Sequence, residues 1–463
     1  LGRYDNRKKQ PLTLRGHHLE VWSSRGTEKP AGRPSASSPP PFINPPAWAG
    51  SGHDVPARPG RCDAIGPMPN DAHGIGIVGA GQLARMMIEA ASSLGIDAVV
   101  LAGQPEDSAA KLARRVLVGS ARDAGQLWAL AARSEVVTFD HEHIDLELVA
   151  TLEAAGVAVH PGSATLALGV DKALMRATLA QAGLPVPRYA ILDGNPERAQ
   201  AEAIAFAETY GWPVVLKATR GGYDGKGVWP AANPAQVAAH CRRAAEAGTP
   251  MLVEVNVDID LELAVLVCRR PSGQLVVWPA VETTQVEGMC REVLFPGRID
   301  PELDARARAL GEQVALALGA TGVLAIELFA SHGSLLVNEL AARPHNSGHW
   351  TMDGSRTSQF ENHVRAIFDW PLGETAALAP AIASVNVLGD ALSTQPGTRL
   401  AAALSVAGAR VHLYGKAPAP GRKLGHVTVC GHDLADVRER AWRAAVALGT
   451  PVPSGLRAAG SAA

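Results

Sequence analysis

From residue 74 onward the chain alternates short apolar runs with stretches of helical period, the pattern of a mixed α/β protein. Two apolar runs, 323–329 and 334–340, flank a polar turn containing Gly333 and predict a β-hairpin. Glu327 and Glu339 lie symmetrically about Gly333, so a hairpin centred there sets two carboxylates opposite each other. Earlier, a buried strand at 74–79 runs into a helix start at 80–87. Further strands at 97–101 and 136–139 complete the signs of a Rossmann-like first domain.

The pattern changes after Gly169. Asp171 and Lys172 open a helix over 173–182, closed by Gly183, and Pro185 and Pro187 mark a boundary. Strands follow at 213–217, ending in Lys217, at 251–254, ending in Glu254, and at 261–268, carrying Glu262. The expected divisions are a disordered extension (1–73), the Rossmann-like domain (74–170), a central domain (171–372), a small C-terminal domain rich in β-structure (373–455) and a tail (456–463). The extension holds 12 of the 33 prolines and has almost no hydrophobic period, a composition that cannot offset chain entropy. Either it is a natural tail, with a mitochondrial presequence disfavoured by its prolines, or translation starts lower down, Met68 being at hand.

Composition narrows the function. With 463 residues, 47% of them hydrophobic, and a net charge of −2, the chain has ample material for several cores and no basic footprint for nucleic acid. Five scattered cysteines form neither a zinc motif nor a disulfide framework, and no apolar run is long enough to span a membrane. The expectation is a cytoplasmic protein acting on small molecules.

The candidate chemistry is dense in four places. Glu327 and Glu339 are either charges on a solvated strand face or a carboxylate pair for Mg²⁺, with Mn²⁺ an alternative, beside nucleotide phosphates. The loop 343–349, which begins with Arg343 and includes His345, carries more anion-binding and proton-transfer groups than a turn requires. Arg220-Gly221-Gly222-Tyr223-Asp224-Gly225-Lys226-Gly227 is either a flexible hairpin or a phosphate cradle, without the Gly-Lys-Ser/Thr of a Walker loop. Lys416, Arg422 and Lys423 sit on a loop bounded by Gly and Pro, either a solvated turn or a clamp for a monophosphate. Two weaker signals remain. Asp140 to His143 follow a strand end, where ligands of α/β sheets bind, or else cap a helix. Gly79-x-Gly81-x-x-Ala84 has the spacing of a dinucleotide fingerprint, yet the next strand leads into Ala102-Gly103-Gln104 without the ribose-binding acid of an NAD site.

Taken together, GGYDGKG, NELAARPHNSGHW with SQFENHVRAI behind it, and PGRKLGHV at 420–427 resemble an ATP-grasp ligase, and the combination is similar to the 5-(carboxyamino)imidazole ribonucleotide synthase family over 74–449. The resemblance implies an ATP-grasp fold with a pre-ATP-grasp domain in front, and a homodimer. It implies ATP, bicarbonate and 5-aminoimidazole ribonucleotide as substrates, with carboxyphosphate as intermediate. Lys172 and Lys217 then meet the nucleotide phosphates, covered by the loop with Gly221, Gly222, Gly225, Lys226 and Gly227. Glu254 and Val255 form the adenine hinge, Glu262 holds the ribose, Asn338 also belongs to the nucleotide site, and Glu327 and Glu339 hold the metal. Tyr223, Asp224, Glu142, Arg343 and His345 fall at positions for bicarbonate, carboxyphosphate and the aminoimidazole, with Asp224, Glu142 and His345 all open as the base. Lys416, Arg422 and Lys423 fall at positions for the ribotide phosphate.

Four positions depart from that pattern: Ala84 for Gly, Ala342 for Pro, Ala341 where many ATP-grasp ligases carry Asn, and Ala419 for Arg. The third leaves ligation of a second metal open. Rival readings are another ATP-grasp ligase, such as a formate-dependent glycinamide ribonucleotide transformylase or a biotin carboxylase-like enzyme, a non-catalytic nucleotide-binding subunit, and an NAD oxidoreductase.

Overall fold

The computed structural model describes residues 74–221, 226–390 and 394–453. The expected extension, the tail, and Gly222, Tyr223, Asp224 and Gly225 lie outside the described residues.

The first sheet is parallel, ordered Arg115–Val118, Asp97–Ala102, Gly74–Val78, Val136–Phe139. Its strands are nearly all apolar because helices cover both faces. Helix Gln82–Ser93 buries Leu83, Met86 and Met87 in one cluster with Phe360, Val364 and Ile367 of helix Gln359–Ile367. That cluster also takes in Tyr414, so the first sheet is locked to both later parts of the chain.

A second, antiparallel sheet runs Tyr189–Ile191, Met251–Val255, Val214–Ala218, Val228–Ala231, backed by helices Pro196–Tyr210 and Pro234–Glu246. Both helices begin on an Asn cap followed by proline, a start signal readable in the sequence.

The third sheet has nine strands. In order these are Ser334–Ala341, Gly322–Ser331, Leu261–Arg269, Val281–Val286, Met289–Phe295, Ala381–Leu388, Lys423–Gly431 and Arg410–Leu413, with Leu275–Val277 beside Leu261–Arg269. The segment after 373 thus extends the same sheet, through pairs such as Glu292 with Val385. Strand Leu261–Arg269 shows how period two divides the core. Leu263, Val265 and Val267 pack against helix Pro301–Leu318, while Ala264, Leu266 and Cys268 face Trp278, Trp350 and Ala366. Gly311 lets that helix approach the sheet, since a Cβ there would meet Val265 Cγ1 at 2.9 Å. Each fully buried Leu or Val on these faces stabilises the fold by about 1.5–3 kcal/mol.

The expected hairpin forms, with two differences. Its turn lies between Ser331 and Ser334, with His332 (φ 46°) and Gly333 (φ 76°) both left-handed, as a two-residue hairpin turn requires. The register Ser331 to Ser334 would place Asn338, not Glu339, across from Glu327. A β-bulge between Glu327 and Leu328 on the register resolves this: Leu328 pairs with Val337, Glu327 pairs with Glu339, and Asn338 is the extra residue. Apolar burial changes phase at the same place, with Leu335 and Val337 before it and Leu340 and Ala342 after it in one core.

Candidate active site

A cavity of about 830 Å³ opens where the three sheets meet, and most of the candidate residues line it. Lys217 and Glu254 come from the antiparallel sheet, Glu262, Glu327, Asn338 and Glu339 from the nine-stranded sheet, and Glu142 from the loop after Val136–Phe139. Lys172 enters from a helix start, Arg343 and His345 from the loop behind the hairpin, and Lys416, Arg422 and Lys423 from the connection between the last two strands of the sheet. Val255 and Gly221 also line it, whereas Lys226 and Gly227 do not. The cationic loop reaches the cavity because its strands are part of the sheet that carries the two glutamates.

Glu327 and Glu262 share the cavity face, since Glu327 pairs with Ala264 and Phe329 with Glu262 across neighbouring strands. Burial first, then the charges of Glu339 and Glu262, push the Glu327 carboxyl up to about 8. Lys172 Nζ, at 2.6 Å from Glu339 Oε1, supplies part of the missing positive charge. An opposed, half-buried carboxylate pair short of cations is a hard-oxygen donor set that fits Mg²⁺. Helix Lys172–Gln181 owes its start to Asp171, whose side chain accepts from Ala173 N and Leu174 N.

Glu254 is held by two cations. Its side chain is buried and paired at 2.6 Å with both Arg176 Nε and Lys217 Nζ. Burial alone would raise its pKa, but the two cations outweigh that and hold the carboxyl below its usual range. Lys217, buried beside Arg176, is lowered from its ordinary value. The Glu254 carboxylate is therefore engaged with protein cations, and Val255 beside it lines the cavity. The sequence reading missed Arg176. Its signal is the spacing of four from Lys172, which sets both on one side of the helix.

Arg343 Nε lies 2.7 Å from Glu142 Oε1, so the carboxylate is neutralised by a cation. His345 Nε2 sits 3.8 Å from Glu327 Oε1, and His345 Nδ1 accepts from Ser347 N at 3.3 Å. That leaves the proton of the neutral ring on Nε2. Burial, then Arg343 and Lys423, lower the His345 pKa to about 3, which suits a hydrogen-bond donor better than a base. The Nδ2 of Asn346, at the cavity wall, is buried without a hydrogen-bond partner. Lys416 hydrogen-bonds the Gln82 carboxamide, and burial brings its pKa down to about 8 against the opposing pull of Asp140. Arg422 donates to Ala417 O at 3.0 Å.

The helix start after Gly79-x-Gly81 is already occupied. The Asp140 carboxylate accepts from Gly81 N and from Ala84 N, the latter at 3.0 Å, where a dinucleotide pyrophosphate would lie. The acid after the strand is thus a helix cap, and the NAD reading loses its phosphate site.

The chain matches family models in three consecutive pieces: a ribonucleotide synthetase preATP-grasp domain (72–169), an ATP-grasp domain (177–360) and a phosphoribosylaminoimidazole carboxylase C-terminal domain (383–440). It is 46% identical over 376 residues to the N5-carboxyaminoimidazole ribonucleotide synthase of Mycobacterium bovis, covering 80% of this chain and 86% of that protein. The crystal structure of the Thermotoga maritima N5-carboxyaminoimidazole ribonucleotide synthetase superposes with a TM-score of 0.71 at 35% identity, covering 80% of this chain and 97% of the other. The Aspergillus clavatus synthase, in complex with ADP and 5-aminoimidazole ribonucleotide, gives 0.73 at 28% identity over 82% and 99%.

Proposed function

Because the chain belongs to the N5-carboxyaminoimidazole ribonucleotide synthase family of ATP-grasp ligases, we propose a role for each group in its cavity. The enzyme uses ATP to carboxylate 5-aminoimidazole ribonucleotide, a step of purine synthesis. The observation that carries the assignment of roles is the meeting, in one cavity, of an opposed carboxylate pair, two lysines and a separate cationic loop.

Lys172 and Lys217 bind and orient the ATP phosphates, with Asn338 beside them. Glu327 and Glu339 hold Mg²⁺, which when bound neutralises phosphate charge. A bicarbonate oxygen, positioned by Arg343, attacks the γ-phosphorus as the bond to the ADP oxygen breaks, giving carboxyphosphate. That breaks down to CO₂ and phosphate, and the ribotide's exocyclic nitrogen forms the new N–C bond and gives up a proton. His345, donating from Nε2, steadies the carboxyl oxygens, and the proton passes to Glu142 or to Asp224, which lies outside the described residues. Tyr223 and the glycine loop, of which 222–225 lie outside the described residues, are expected from the family resemblance to keep water from the intermediate. Lys416, Arg422 and Lys423 hold the ribotide phosphate. Free thiols at Cys241, Cys268, Cys290 and Cys430 suit a reducing cytoplasm, and a homodimer is expected from the family resemblance.

Phosphate release from ATP and bicarbonate, measured with and without 5-aminoimidazole ribonucleotide, tests the reading. A product carbamate formed in step with phosphate is expected. Turnover stimulated equally by glycinamide ribonucleotide and formate would instead favour the other ATP-grasp ligase.

A further inference from the structure

A second group of ligating side chains lies outside the cavity's lining. His412 and His426 are directly paired across strands Arg410–Leu413 and Lys423–Gly431, which puts both imidazoles on one face, their rings stacked with centroids 4.7 Å apart. Asp353 reaches the same face from helix Thr351–Gly354, with Oδ2 2.8 Å from His412 Nε2. One ligand atom from each of Asp353, His412 and His426 lies within 4.8 Å of the other two.

The protonic contacts leave one atom unused. His426 Nδ1 shares a hydrogen bond with Tyr414 Oη at 2.9 Å, while His426 Nε2 is buried with no partner, on a ring that is 0% exposed. A buried imidazole nitrogen without a partner is costly to leave so, and a metal ion is a group that can take its lone pair. We propose that Asp353, His412 and His426 form a binding site for a divalent cation of the zinc type, separate from the nucleotide metal.

The donor set argues for this class. Two imidazoles and one carboxylate suit zinc and its first-row neighbours, and not Mg²⁺, which keeps to oxygen. Metal bonds of about 2.0–2.1 Å need the Asp353 to His412 contact to open by about half an ångström, and the His412 ring, stacked at 15° on His426, to turn so that both in-plane nitrogens aim at one ion. Tyr414 on the far nitrogen of His426 is the outer partner that orients a ligating imidazole. Asp353 and His412 keep 18% and 27% of their side chains exposed, which gives the ion a way in. The site has a structural consequence. The residues between His412 and His426 include Lys416, Arg422 and Lys423, and Asp353 follows the turn of His345, so the ion pins the base of the cationic loop to the wall of the cavity.

The test uses untagged full-length protein, stripped with chelator and held in saturating Mg²⁺ and ADP to fill the nucleotide site. Zn²⁺ is titrated by calorimetry, and Co²⁺ by absorption and by the electron-spin signature of coordinated imidazole nitrogen. One equivalent of Zn²⁺ with micromolar or tighter affinity is expected, weakened at least tenfold in His412→Gln and in Asp353→Asn. Binding no tighter than millimolar, or equal in wild type and the double variant, overturns the proposal. Should His412→Gln fail to fold, the Co²⁺ signal of the wild type decides, because a cobalt site without imidazole nitrogen also overturns it.

Discussion

Lys172 Nζ rests 2.6 Å from Glu339 Oε1, so the cation we assign to phosphate is held by the carboxylate we assign to metal. Each group satisfies the other, so a phosphate that takes Lys172 and a metal that takes Glu339 both compete with this pair. Lys172→Met therefore has opposite effects on the two. Bare Mn²⁺, followed by its electron-spin signal without nucleotide, should bind several-fold more tightly, while the KM for ATP rises about tenfold or more. Weakening of both would mean that the pair does not oppose metal entry.

Glu327 supplies a pH dependence of known sign. Its pKa of about 8 means that near pH 7 the folded site holds a proton which must leave before a cation takes both carboxylates. Mg²⁺-nucleotide affinity should accordingly increase as pH rises toward 8 and then level off, with close to one proton released at pH 7. Calorimetry in buffers of different ionisation enthalpy counts that proton, and Glu327→Gln should abolish it. Glu339→Gln should lower turnover on the order of 10²-fold with the fold intact.

Lys416 titrates in the opposite sense for its ligand. With its pKa lowered to about 8, it is charged below that pH and neutral above it. The KM for 5-aminoimidazole ribonucleotide should rise about tenfold between pH 7 and 9, while Lys416→Arg, which stays charged, flattens the profile. Arg422→Ala should raise the same KM about tenfold and leave that for ATP nearly unchanged. Equal weakening of both substrates would remove the loop from the ribotide phosphate.

The Arg176, Glu254 and Lys217 triad is a matter of stability as well as binding. Glu254→Gln leaves Arg176 and Lys217 buried together with no counter-charge, a kind of change that costs about 3–5 kcal/mol. Urea unfolding should register that loss. Adding Arg176→Met, which removes one of the two like charges left together, should recover part of it, and strict additivity of the two changes would show that the residues do not act as a unit.

The sequence alone determined the elements and the chemistry of the pieces. Apolar runs gave the hairpin at 323–340, Asp171 gave a helix start, and two acids on an apolar hairpin offered either a cation site or a solvated face, because local period and capping are written in adjacent residues. Even the bulge left a trace, the slip of apolar phase between Val337 and Leu340 around Asn338 and Glu339. Tertiary structure decided what depended on distant partners. Asp140 reads equally as ligand group or helix cap until Gly81 and Ala84 are set against it, and Glu254 as hinge or surface acid until Arg176, 78 residues away, reaches its carboxylate. The basic loop 416–423 joins the cavity only because strand Ala381–Leu388 pairs with Met289–Phe295. Such pairings are contacts of high sequence separation, fixed by which faces the whole fold buries, and no local pattern carries them.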